Sequence, residues 1–106
     1  MLSNPWFLVF LAGLLEIGWA LALKYSDGFS KPVPTAAAII GAVASFWLLS
    51  LAMKELPVGT AYAVWVGIGV VGTAVLAVVL LGEPVTVLRG VGIALIMAGI
   101  AALKLA

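Results

Sequence analysis

From Pro5 to Leu23 the chain reads PWFLVFLAGLLEIGWALAL, an apolar run with a single charge, Glu16. That is about the length a helix needs to cross roughly 30 Å of hydrocarbon. The run is continuous and lacks a period of two, which disfavours a strand. Outward from it, KYSDGFSKP (24–32) is a turn by composition. A second apolar run, 33–53, carries no charge, and KELP (54–57) is a tight connection. A third run, 58–81, is closed by GEP (82–84), and a fourth begins at Val85 with Arg89 near its start and Lys104 at its end. Spanning helices are expected at about 5–24, 33–53, 58–81 and 85–104, in one all-α integral membrane domain. The 106 residues have almost nothing left over for a part outside the bilayer.

Composition excludes the other broad classes. Apolar residues make up 66% of the chain and charged ones 8%, against about 25% charge in an ordinary soluble domain. A soluble enzyme and a disordered linker are thereby disfavoured. A net charge of +1 gives no electrostatic case for nucleic acid. There is no cysteine and no histidine, so thiolate chemistry, disulfides and the commonest metal ligand are missing, and neither a cofactor nor a metal is expected. The first run has no basic segment before it and is too long for the core of a cleaved leader.

Four helices make a thin bundle, hardly able to enclose a polar path, whereas a dimer of eight helices is. Gly92 and Gly99 lie one heptad apart on the fourth helix, near Ala98 and Ala102. Small residues let helices approach closely, so these glycines are candidate dimer contacts; packing within the chain is the other reading. Lys54 and Lys104 fall on one side of the membrane and Lys24, Lys31 and Arg89 on the other, and the terminal amine evens the balance. The positive-inside rule has little to act on, so insertion in both orientations and an antiparallel dimer are physically allowed.

Glu16 stands out. It lies about eleven residues into its helix, roughly 16 Å deep and near the midplane. A charge there costs at least ~2.5 kcal/mol on insertion scales, and intramembrane ionisable groups mark ion or substrate paths. Desolvation disfavours the charged carboxylate, which suits a group that holds a proton at one moment and a cation at another. The alternative is a protonated carboxyl hydrogen-bonded to a neighbouring helix. No basic residue lies at similar depth to pair with it. Ala12, Gly13 and Ala20 leave room on its face, and Trp19, at i+3, offers an aromatic wall and an N–H donor. Tyr62 and Trp65 share a face of the third helix, and Ser45 lies mid-way in the second, able to donate to a carboxylate. Aromatic faces attract desolvated cations by up to about 2 kcal/mol. Packing is the competing reading for each aromatic residue; a lipid-facing or packing place is preferred for Trp47, a belt position for Trp6, and the site for Trp19 and Trp65. Gly67, Gly69 and Gly72 fit a dinucleotide fingerprint, but inside a spanning run they fit close packing or a bend instead.

Together these residues resemble the small multidrug resistance family over essentially the whole chain. EIGWA (16–20) with LKYS (23–26) looks like the family's first helix, LPVGTAYAVW (56–65) its third-helix motif, and GIALIMAG (92–99) its fourth-helix dimer motif. Trp19 next to Ala20, and Thr60, resemble the guanidinium-exporter branch rather than the polyaromatic-cation branch. The resemblance implies an antiparallel, dual-topology dimer, multi-pass in a bacterial inner membrane, that exchanges protons for small organic cations. It implies that Glu16 binds substrate and proton in turn, with Trp19, Ser45, Tyr62 and Trp65 as supporting network and site wall. Two positions depart from the branch. Val66 stands where it commonly has Thr, which threatens to leave Ser45 without a partner. Gly18 stands where it often has Val, which is expected to widen a portal between helices. Both make substituted guanidiniums such as guanylurea candidate substrates. They leave open a broader exporter of quaternary ammonium or aromatic cations, and pairing with a paralogous subunit rather than a second copy.

Overall fold

The computed structural model of the protein describes residues 4–106; the terminal amine counted in the charge balance lies outside them. Four helices follow one another: α1 Pro5–Tyr25, α2 Pro32–Ala52, α3 Val58–Leu81 and α4 Val87–Leu105. All four are long and apolar enough to cross a membrane, and no strand occurs among the described residues.

Each boundary has a local cause. Asn4 caps α1 by accepting a hydrogen bond from the Trp6 N–H (3.0 Å), and Pro5 fills the first turn, where a missing N–H costs nothing. After Tyr25 the chain turns on buried Ser26, whose hydroxyl donates to the Leu23 carbonyl (2.7 Å) and accepts from the Phe29 N–H (3.2 Å). Asp27, Gly28 and Phe29 then take left-handed φ values of 49°, 70° and 67°, which carry the chain into α2. Gly82, at φ 67°, ends α3 with the usual left-handed cap. The fourth apolar run begins at Val85, but its helix starts at Val87, because the Thr86 hydroxyl caps it by accepting from the Arg89 N–H (3.1 Å).

α1 is the central element and packs along both α2 and α3, while α2 and α3 barely meet. The core lies in the first half of α1: Leu8, Val9 and Ala12 pack against Leu49 and Ala52 of α2 and Ala61, Val64 and Trp65 of α3. The backbone of α4 runs close to that of α3 alone among the helices, and none of its residues is buried. Many large apolar side chains face outward, including Ile40, Trp47 and Leu95. In a bilayer that is an ordinary lipid-facing surface, since only the backbone polar groups must be satisfied internally. The lipid-facing reading of Trp47 agrees with this exposure. Trp6 lies under the ammonium of Lys104, 4.8 Å from its ring centroid, so the start of α1 and the end of α4 lie side by side.

α3 is helical throughout Val58–Leu81, and three of its glycines, Gly67, Gly69 and Gly72, serve close packing. A Cβ at Gly67 would strike Ile100 of α4, one at Gly72 would strike Ile17 of α1, and one at Gly69 would overlap the Glu16 carboxyl.

Candidate functional site

Glu16 projects from the middle of α1 onto α3, where the missing side chain of Gly69 makes space for its carboxyl. Its Oε1 is buried and has no hydrogen-bond partner among the described residues. Close by, the indole N–H of Trp19 is also buried and without a partner. Buried polar atoms are normally satisfied, and two orphans on residues of one groove mark a place shaped for something else. Both residues line a groove of about 400 Å³ between α1 and α3, whose other walls include Val66, Gly69, Val70 and Thr73.

A second layer lies behind that groove. The Trp65 indole donates to the Ser45 hydroxyl (2.8 Å), and Ser45 donates to the Ala12 carbonyl (2.7 Å). Ser45 is fully buried, and the Val66 substitution does not leave it stranded: the expectation that it might lack a partner is corrected, because Trp65 supplies one. Nor does it donate to the Glu16 carboxylate, because its proton is committed to α1 backbone. In an α-helix the Ala12 carbonyl also accepts the N–H of Glu16, so this relay ties α2 and α3 to the turn that carries the carboxylate. Aromatic rings cross the bundle in the same layer. Trp19 meets Phe46 with centroids 6.3 Å apart, Phe46 meets Trp65 at 5.5 Å, and Trp65 meets Tyr62 at 5.6 Å.

The residues singled out from the sequence are therefore distributed unequally. Glu16, Trp19 and Val66 share the groove. Ser45 and Trp65 lie behind it as a buried relay. Tyr62 meets Trp65 with the rings inclined at 46° but is 54% exposed. Gly18 is on the exposed side of α1, with open space beside it, and does not line the groove in this chain. Gly92 and Gly99 have nothing within 4 Å of where a Cβ would sit, so packing inside the chain does not occupy them. Sequence reasoning missed Gly69, Phe46, Thr73 and Glu83. Gly69 was visible only as part of a glycine pattern, and Phe46 carried no signal beyond its place next to Ser45.

The model of the Small Multidrug Resistance protein family matches residues 4–96. The chain belongs to this family. Among its relatives, the guanidinium exporter of Yersinia pseudotuberculosis is 54% identical over 101 residues, covering 95% of this chain and 97% of that protein. The guanidinium exporter of Escherichia coli K12 is 51% identical over 100 residues, 94% and 95% of the two chains, and that of Proteus vulgaris 48% over 101 residues. Family membership and four membrane-length helices make this a multi-pass membrane protein.

Proposed function

We propose that this protein exports guanidinium-type cations in exchange for protons, with Glu16 as the shared binding group. The observation that carries the reading is the orphaned, buried Oε1 of Glu16, seated against Gly69 in a groove with no basic residue beside it. The names of close relatives support guanidinium as the substrate class. The chemistry fits: guanidinium is planar and presents a fork of N–H donors that matches a carboxylate. Trp19 and the ring series behind it provide π-faces for a flat cation.

Coupling follows from competition. A protonated Glu16 has one oxygen committed and no charge to offer, so proton and cation exclude each other, and each lowers the affinity for the other by the same factor. Protons entering on one side release the cation bound from the other. The Trp65–Ser45–Ala12 relay holds the carboxylate's turn in place through the cycle. One such groove opens sideways, and a second, antiparallel copy completes the enclosure by meeting the bare face of α4 at Gly92 and Gly99. A paralogous subunit meeting that face is the alternative partner, and a portal role for Gly18 depends on what the partner places beside it.

A second reading is a broader exporter of quaternary ammonium or aromatic cations. Val66 favours it by lining the groove with carbon where a hydroxyl was expected, in a groove of about 400 Å³. Currents from proteoliposomes under one pH gradient separate the two. Guanidinium and guanylurea are expected to drive current and tetraethylammonium to be silent; dominance of tetraethylammonium overturns the substrate assignment. Glu16→Gln is expected to abolish the current while leaving assembly intact, and proton-coupled export by that variant would overturn the mechanism.

A further inference from the structure

The groove that holds Glu16 has a second carboxylate at its other end. Glu83, in the turn between α3 and α4, lines the mouth. Between the two acids the floor is kept low by Gly69, Thr73 and Ala77, spaced one turn apart along one side of α3. From Gly69 to Leu81 the helix rises about 18 Å, which carries the groove from mid-membrane to the surface.

At that mouth a guanidinium is already bound, and it belongs to the chain. Arg89 Nη2 donates to Glu83 Oε1 (2.9 Å) and Nη1 donates to the Pro84 carbonyl (2.9 Å). The left-handed Gly82 and the Thr86 cap on Arg89 shape the turn so that both acceptors face the same planar head group. A free guanidinium ion has the same fork of donors. The side chains of Arg89 and Glu83 are 38% and 42% exposed, and a pair so open to water is weak and screened by salt. Opening such a pair costs little, and Glu83 with the Pro84 carbonyl would then present a cradle of the right shape and charge.

We propose that Glu83 and the Pro84 carbonyl form an outer guanidinium station at the mouth of the Glu16 groove, with Arg89 as the tethered competitor that empties it. The proposal rests on the guanidinium reading above. A carboxylate at the mouth concentrates cations where they enter. Arg89 prevents the station from retaining them, so a cation leaving Glu16 passes on to water.

Two measurements test it. In titration calorimetry with guanidinium at low ionic strength, Arg89→Ala is expected to gain a second, weak, salt-sensitive site per chain, and Glu83→Gln added to it is expected to remove that site. In transport, Glu83→Gln is expected to raise the guanidinium KM about threefold with Vmax unchanged, as the loss of an exposed charge contact predicts. Where Arg89→Ala fails to fold, Arg89→Lys replaces it, since a single ammonium does not fill both acceptors as the fork does. No added site in the Arg89 variant together with an unchanged KM in Glu83→Gln would reduce the pair to a tie across the turn and overturn the proposal. If the wild type binds no guanidinium while the Arg89 variant still gains a Glu83-dependent site, the assignment of substrate fails and the station stands.

Discussion

The Glu16 carboxyl occupies the volume that a side chain at position 69 would need. Gly69→Ala therefore acts on the carboxylate directly, whereas Gly72→Ala pushes only on the end of Ile17. Both overpack the same helix pair, and both are expected to cost about 1–3 kcal/mol of stability. Only Gly69→Ala displaces the proposed binding group, and a misplacement of that kind is expected to lower rate by about a hundredfold. Guanidinium-driven current and unfolding in detergent, measured on both variants, check this; equal loss of current in the two would mean that packing alone is responsible. At this scale the sequence was half legible. A carboxylate at mid-membrane advertises itself by its cost, and Trp19 by its spacing from it. What Glu16 rests against was hidden, because the rotation of α3 about its axis is set by packing with α1 and not by any pattern within α3. Gly18 shows the same limit from the other side: two residues along a helix turn a side chain to nearly the opposite face, and here that face is exposed.

Among elements, α2 and α3 illustrate how little direct packing a bundle needs when hydrogen bonds bridge it. They scarcely touch, yet Ser45 and Trp65 join them and fasten both to α1. The helices themselves were legible as four apolar runs with turn residues between them. The exception was the start of α4, where Val85 continues the apolar run but Thr86 decides the boundary by capping. The role of Ser45 was not legible, because the loss of a hydroxyl at Val66 gave no hint that an indole would take its place. α4 presents the clearest test at this scale. Gly92→Leu combined with Gly99→Leu starts both side chains in open space on a helix with no buried residue, so the fold of the single chain is expected to survive. Pairing is expected to be lost, seen as loss of energy transfer between differently labelled chains in liposomes. Unchanged transfer would move the dimer contact elsewhere.

For the whole molecule the decisive quantity is the near balance of positive charge between the two membrane faces. Adding two lysines to the 54–57 connection is expected to fix one orientation and to lower export by a single expressed chain, because orientation follows the Lys and Arg bias of short loops. Co-expression with a chain biased the opposite way is expected to restore export. Accessibility labelling of a cysteine placed in the same connection reads the orientation directly, and full export from a uniformly oriented population would exclude the antiparallel arrangement. The balance itself was readable from the sequence by counting.

The backbone of α4 lies against α3 and none of its residues is buried, which has a further consequence for how such proteins diversify. The carboxylate, its glycine seat and the relay behind it all lie within the first three helices. The outward side of α4 is free to change without disturbing them. If the proposed partner meets α4 on that side, two descendants of a gene duplication can part company in whom they join before they differ in what they carry.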